Sequence, residues 1–301
     1  MEQHSENTFS TVGIVGLGKI GAAFADRLLS YHWPVVGYTR TPGGKTLPDG
    51  LEMADTIAVL ATRCDVIVLA LSDMDACSYV VASLRAAAPP ASIVNCTSLL
   101  PGATIALSDA VHDAGGTYID APVMGSVDLV RHGKASILAG AQPAHFGKWV
   151  KLLELLAGEA RLVGPIGTAS AIKGASLLMM AVNTLGAAEG LRYATAFGVD
   201  PQIALTCLKE TPGTSAALQF RGWRMASKDF RPEVGKLQDF RNLAAGIDAS
   251  APTPTSMLAQ AVRYFDKAIA MNLGDRDAAA VFEALMSRAE DHYIMDVTLP
   301  S

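Results

Sequence analysis

Along the first half of the chain, short apolar runs rich in β-branched residues alternate with longer segments whose apolar positions recur every three to four residues. The runs Thr11–Val15, Pro34–Tyr38, Asp65–Leu71, Ser92–Asn95, Thr117–Asp120, Ser136–Leu138 and Arg161–Val163 predict strands. The helical spacing predicts helices over Ile20–Ser30, Asp75–Ala88, Gly102–Ala114 and Ala144–Ala157. Runs such as Val66-Ile67-Val68-Leu69-Ala70 lack any polar alternation. Strands of that kind are buried on both faces and belong to a parallel sheet covered by helices on each side. After Gly167 the strand pattern stops, and helices are expected over about 168–197, 201–210, 214–227, 233–247, 255–273 and 277–288, with Pro201, Pro212, Pro232 and Pro252 at their boundaries. The expected architecture is an α/β domain with a mostly parallel, doubly wound sheet over 1–167. An all-α domain over 168–301 follows it, linked by the long first helix.

Composition agrees with two cores. The chain has 301 residues, more than the ~250 at which a single core stops growing. Half of them are hydrophobic, far too many for a disordered chain. A mean hydropathy of +0.28 implies apolar surface buried between subunits. The net charge of −5 gives no basic field for nucleic acid. Met1 to Ser10 is polar, without the apolar core of a signal peptide. The most apolar helical stretch, Ala175 to Ala188, is interrupted by Asn183 and falls short of the ~20 residues a membrane span needs. Cys64, Cys77, Cys96 and Cys207 are scattered, with no metal-ligand or disulfide spacing. A soluble cytoplasmic protein with reduced thiols is expected, with neither a metal site nor a membrane partner.

The chemistry begins at Gly16-Leu17-Gly18-Lys19-Ile20-Gly21. Three spaced glycines alone are weak evidence in a chain that has 27. Here, however, the strand Val12-Gly13-Ile14-Val15 runs straight into them and an amphipathic helix leaves from them. Gly16 permits the tight turn, Gly18 lets the backbone approach a pyrophosphate, and Gly21 allows close helix–strand packing. The N–H groups at the helix start face the phosphates, whereas Lys19 reads as a solvated side chain. This is the pattern of a Rossmann domain binding a nicotinamide dinucleotide.

The end of the second strand chooses between cofactors. An NAD site places Asp or Glu roughly 20 residues beyond the glycines. Here the strand ends in Tyr38-Thr39-Arg40-Thr41, with no carboxylate until Asp49. The Arg40 guanidinium can pair with a 2′-phosphate, and the Thr39 and Thr41 hydroxyls can donate to it. NADP is therefore expected rather than NAD.

With these residues in view the chain resembles the β-hydroxyacid dehydrogenase family, which includes 3-hydroxyisobutyrate dehydrogenase and tartronate semialdehyde reductase. Four segments carry the likeness: Gly13–Gly21 with Thr39-Arg40-Thr41; Asp120-Ala121-Pro122-Val123-Met124-Gly125-Ser126 with Gly133-Lys134-Ala135; Gly164–Lys173; and Gly274–Val281. The resemblance implies that the long helix starts beside the active site and that Lys173 is the catalytic acid/base. Read alone, Lys173 is a solvated surface lysine. In the implied site an ammonium stabilises and protonates the oxygen that gains charge as hydride arrives, and a neutral amine takes the proton back in the reverse reaction. Thr97 and Ser98 match the family's hydroxyl pair near the nicotinamide ribose, although they equally suit a cap for the helix near Pro101. Leu71 and Ser72 pass the cofactor through their backbone. The family also implies a small-molecule substrate and a homodimer or larger homo-oligomer.

Three departures bear on the substrate. Where the family's loop has Ser-Gly-Gly, this chain has Met124-Gly125-Ser126; where two asparagines follow the lysine it has Ser176 and Leu177; and the family's Lys-Asp pair is Gln238-Asp239. Each change removes a polar group from the implied pocket. A less polar carbonyl/alcohol pair than a small hydroxyacid or semialdehyde is therefore expected. Imine reductases share the architecture but carry Asp or Tyr at the lysine position, and non-catalytic cofactor-binding relatives tend to lose the lysine. Lys173 favours oxygen chemistry over both alternatives. The six histidines show no motif spacing and receive no role.

Overall fold

The computed structural model describes residues 10–41, 47–87, 92–232 and 235–287. The predicted helix ends at 88 and 288, the predicted helix start at 233–234, His4, His292 and most of the N-terminal segment lie outside those residues. The chain divides into two compact units, Met1–Gly174 and Ala175–Ser301.

In chain order the first unit contains β1 (Val12–Val15), α1 (Lys19–Ser30), β2 (Val35–Tyr38), β3 (Glu52–Met53), α2 (Ile57–Arg63), β4 (Val66–Leu69) and α3 (Met74–Ala87). It continues with β5 (Ser92–Asn95), α4 (Pro101–His112), β6 (Thr117–Asp120), β7 (Val123–Met124), α5 (Val127–Arg131), β8 (Ala135–Gly140), α6 (Pro143–Ala157) and β9 (Gly158–Gly164). These strands form one sheet in the order β3-β2-β1-β4-β5-β6-β8-β7, with β9 also paired to β8. β1 to β6 are mutually parallel, β8 runs antiparallel to both β6 and β7, and β9 is parallel to β8. The sheet is thus mostly parallel; beyond β6, β8 and β9 run the opposite way and β7 returns to the direction of β6.

The continuous apolar strands explain the two-sided burial. Successive side chains point to opposite faces, so Val12, Ile14, Val66 and Val68 pack with Phe24, Leu28, Trp149 and Leu152 of α1 and α6. Val15, Ile67 and Leu69 pack on the other face with Leu60, Val80, Leu84 and Leu107 of α2, α3 and α4. The apolar area removed from water on both faces is the main favourable contribution to this unit's stability.

α7 (Thr168–Ala196) spans the point of division. It begins where the second domain was expected to begin, but the compact units separate seven residues later, within the helix. By length and composition alone α7 could cross a bilayer, which the Asn183-interrupted run did not suggest. The second unit adds α8 (Pro201–Lys209), α9 (Ala216–Ser227), α10 (Leu237–Ser250), α11 (Ser256–Ala270), a 3₁₀ turn (Ala278–Ala280) and α12 (Val281–Met286). No strand occurs among its described residues. Its buried ion pair joins Arg221 Nε to Asp277 Oδ1 at 3.3 Å. Asp277 also caps the 3₁₀ turn by accepting from the Ala279 N–H, so the Gly274–Val281 signature closes a core.

Candidate active site

The carboxyl ends of β1, β2, β4 and β5 open onto two adjoining cavities, as expected for ligands of an open α/β sheet. One, of about 600 Å³, is lined by Gly16 to Gly18, Tyr38 to Thr41, Ala70 to Asp73, and Tyr79 of α3. The other, of about 460 Å³, is lined by Gly18, Lys19, Ile20, Ala70 to Ser72, Cys96 to Ser98, Val123, Gly125 and Lys173. They share Gly18, Ala70, Leu71 and Ser72. A single trough therefore runs from Arg40 to Lys173 across the glycine turn.

The turn is built as its glycines require. Gly16 adopts φ +97°, and a Cβ there would lie 2.4 Å from the Ala70 carbonyl oxygen. Gly18 is the N-cap of α1 with no side-chain capping bond. A Cβ on Gly18 would meet nothing within 4 Å. Open space beside an uncapped helix N-terminus fits a phosphate-bearing group. Leu17 is 2 % exposed and part of the core, so only its backbone serves the turn. Gly21 is buried within α1 and supports packing.

In the first cavity Arg40 is exposed beside Thr39 and Thr41. The Asp73 carboxyl lies below the usual range, held there by the Ser72 hydroxyl and the Ala76 N–H, with a smaller contribution from Arg40. Asp73 and Tyr79 were not anticipated, because α3 reaches this cavity from more than 30 residues beyond Arg40. The sole signal for them was their position after a strand end.

In the second cavity Lys173 Nζ donates to the Val123 carbonyl at 2.9 Å. Burial pushes its pKa below the ordinary lysine value. Thr97 Oγ1 accepts from the Leu71 N–H at 3.0 Å, tying the ends of β4 and β5 together. The alternative of a hydroxyl cap near Pro101 is not taken up, since Leu100 caps α4 without a side-chain bond. Ser98 is exposed and lines the cavity. Cys96 also lines it, and burial raises its thiol far above the ordinary value.

Other expected residues are placed differently. Met124 pairs with Ser136 in the sheet, and Ser126 caps α5 by accepting from the Leu129 N–H at 3.3 Å. Neither is among the residues lining the Lys173 cavity; Gly125, between them, is. Ser176 and Leu177 follow Lys173 on α7, three and four residues on. Gln238 lies in α10 of the second unit, where its side chain donates to Asn242 Oδ1. No cluster of three potential metal ligands occurs among the described residues.

Comparisons with known proteins identify the family. Residues 11–164 match the NAD binding domain of 6-phosphogluconate dehydrogenase. Residues 167–285 match the NAD-binding model of NADP-dependent 3-hydroxyisobutyrate dehydrogenase. The chain is 26 % identical to 2-(hydroxymethyl)glutarate dehydrogenase of Eubacterium barkeri, over 90 % of this chain and 93 % of that one. It is also 26 % identical to 2-hydroxy-3-oxopropionate reductase of Escherichia coli K12, over 91 % and 96 %. The fold superposes on Mycobacterium tuberculosis 3-hydroxyisobutyrate dehydrogenase with L-serine at a TM-score of 0.82, with 20 % identity and coverage of 93 % of this chain and 100 % of that one. The chain therefore belongs to the β-hydroxyacid dehydrogenase family, NAD(P)-dependent dehydrogenases and reductases acting on CH–OH groups.

Proposed function

We propose that this protein is an NADP-dependent oxidoreductase that interconverts a carbonyl and an alcohol, with Lys173 as the general acid/base. The observation that carries the reading is the Lys173 ammonium, half-buried in the same trough as the glycine turn. The residues present fit a dinucleotide. The α1 N-terminus and the Gly18 backbone suit the pyrophosphate, and Thr97 and Ser98 suit the nearby ribose. Arg40, Thr39 and Thr41 suit a 2′-phosphate, for which a guanidinium provides paired, charge-assisted donors. The bound nicotinamide supplies or accepts the hydride.

Lys173 does the rest of the chemistry. In reduction its ammonium donates to the substrate oxygen, lowers the cost of the charge developing there and gives up a proton. In oxidation the neutral amine receives the hydroxyl proton. Burial weakens its hold on that proton and so brings the two forms closer in energy. The Val123 carbonyl accepts from the ammonium and keeps it aimed while no substrate is present.

The substrate belongs to the 3-hydroxyacid or semialdehyde class, and the departures from the family's residues at Met124, Ser176, Leu177 and Gln238 favour a less polar member. Met179, Tyr193 and Phe197 of the α7 region are 61 %, 69 % and 73 % exposed. With the positive mean hydropathy, these support a second copy of the chain covering the helix in a soluble cytoplasmic homodimer. Light scattering on a sizing column tests that assembly.

The decisive experiment compares wild type with Lys173→Ala on a panel of aldehydes, ketones, hydroxyacids and cyclic imines. Lys173→Ala is expected to bind cofactor normally and lose about 10²- to 10⁴-fold in kcat. An unchanged kcat would remove Lys173 from the mechanism. Tight cofactor binding without turnover of any compound in wild type would instead favour a scaffold.

A further inference from the structure

Asp120, at the end of β6, is a carboxylate only 1 % exposed. Its Oδ2 accepts from the Gly167 N–H at 3.1 Å and the Ser170 N–H at 2.9 Å. Its Oδ1 accepts from the Ser170 hydroxyl at 2.7 Å. All three donors belong to the entry and first turn of α7. Lys173 follows Ser170 by three residues, which is about one helical turn.

The same short stretch of chain grips the lysine a second time. Val123, three residues after Asp120, supplies the carbonyl that accepts from Lys173 Nζ. The backbone of the lysine's turn and the tip of its side chain are thus held by a four-residue segment. A second set of buried polar groups lies beside this grip: the Thr104 hydroxyl is 3.0 Å from the Tyr118 hydroxyl, which accepts from Asn95 Nδ2 at 2.7 Å. Asn95 Oδ1 in turn accepts from the Thr97 N–H at 3.0 Å. Thr97, Asn95, Tyr118, Thr104 and Ser170 are all buried. This second set ties the β5 end that lines the cofactor trough to β6, the strand that carries Asp120.

Burying a carboxylate is costly unless its donors are supplied, and here each donor falls on the turn that must be aimed. We infer that Asp120 is the positioning residue for Lys173: it fixes the first turn of α7 relative to the strand ends, transfers no proton and touches no substrate. The inference rests on the proposed role of Lys173. It assigns Asp120 a geometric task, so the shape of the side chain matters more than its charge. Asparagine can keep its carbonyl oxygen toward Gly167 and Ser170 and turn its amide toward the Ser170 hydroxyl, which also accepts hydrogen bonds.

The test uses the full chain with Asp120→Ala, Asp120→Asn, Ser170→Ala and Lys173→Ala. Three readouts are kcat, cofactor affinity by fluorescence quenching, and the labelling rate of the Lys173 amine by an acylating reagent, read by peptide mass spectrometry. Asp120→Ala is expected to lower kcat about 100-fold, the cost of misplacing a reacting group by about an ångström. Its cofactor Kd should change less than about threefold, and Lys173 labelling should differ from wild type. Asp120→Asn is expected to recover at least about tenfold of the lost kcat and the wild-type labelling rate. Ser170→Ala should fall between the two.

Where Asp120→Ala does not fold, Asp120→Asn and Ser170→Ala decide the matter by the same readouts. A folded Asp120→Ala with wild-type kcat and labelling overturns the positioning role. Asp120→Asn as impaired as Asp120→Ala shows that charge, not shape, is used, and overturns it too. If Lys173→Ala is inactive while Asp120→Ala is normal, only the positioning role fails. If Lys173→Ala is fully active, the reading beneath it fails.

Discussion

Gly21 sits directly against the carbonyl oxygen of Gly16: a methyl group at 21 would come within 1.9 Å of that oxygen. A methyl group at Gly18, in the same motif, meets nothing within 4 Å. The glycines therefore do different jobs, and substitution separates them. Gly21→Ala is expected to destabilise the fold by about 1–3 kcal/mol through overpacking. Gly18→Ala should leave Tm unchanged and weaken dinucleotide binding, because the added methyl points into the space reserved for it. Thermal melts and cofactor titrations of the two variants check this contrast.

On the proposed reading Arg40 selects the dinucleotide through its 2′-phosphate. A hydrogen bond to a charged group is worth about 1.5–3 kcal/mol, so Arg40→Ala should raise KM for NADPH by roughly tenfold to a hundredfold. KM for NADH should move much less. Steady-state kinetics with both cofactors provide the measurement, and equal effects on the two would separate Arg40 from the 2′-phosphate.

Burial lowers the Lys173 pKa, which sets the direction of the pH response. With Lys173 as the proposed acid/base, alcohol oxidation needs the neutral amine, so its kcat/KM should rise with pH along a limb below the ordinary lysine range. Carbonyl reduction needs the ammonium and should fall along the same limb. The unfolded chain binds this proton more tightly than the folded one. Stability from this group therefore rises between the folded and unfolded pKa values and is lost as pH falls through the folded one. In Lys173→Ala both dependences should vanish from the rate profiles and the melts.

The Arg221–Asp277 pair is almost wholly buried. Removing one partner leaves a charge without compensation in a dry interior. Asp277→Ala is expected to cost about 3–5 kcal/mol, visible in the denaturation midpoint of the full chain.

Met124→Ser tests the substrate reading. It restores the hydroxyl that the family keeps at that place, and it should raise kcat/KM for small hydroxyacids such as 3-hydroxyisobutyrate by several-fold or more, with less benefit to apolar aldehydes. A hydrogen bond to a charged carboxylate, at about 1.5–3 kcal/mol, sets the upper range. Equal changes for both substrate types would show that Met124 does not select between them.

Much of this was legible in the sequence because burial leaves a periodic trace. The strand Val66–Leu69 is apolar throughout and is covered on both faces, and α1 and α6 carry the stripe that packs on it. The two-residue strands Glu52–Met53 and Val123–Met124 left no trace, since two residues cannot establish a period. The short helices Ile57–Arg63 and Val127–Arg131 were equally silent. In the site, glycines with fixed spacing announced the turn, and the strand-end position announced Arg40. Val123 could not be foreseen, because it serves Lys173 through a backbone carbonyl that every residue type possesses. Ser126 caps α5, a local task that the loop sequence did not announce; Asn95, Tyr118 and Thr104 come together only when β5, β6 and α4 pack.

The tether between Asp120 and Ser170 also determines where this chain can be cut. The matched family regions part between residues 164 and 167, which looks like a natural seam for excising the cofactor-binding half. A fragment ending there would keep Asp120 and discard Ser170 with the rest of its helical turn, stranding a carboxylate in an apolar interior without its donors. The compact unit ends after Gly174, carrying the first two turns of a helix that otherwise belongs to the other half. During synthesis the same holds in time: the Asp120 side chain gains its donors from the start of α7 only after some fifty further residues have emerged.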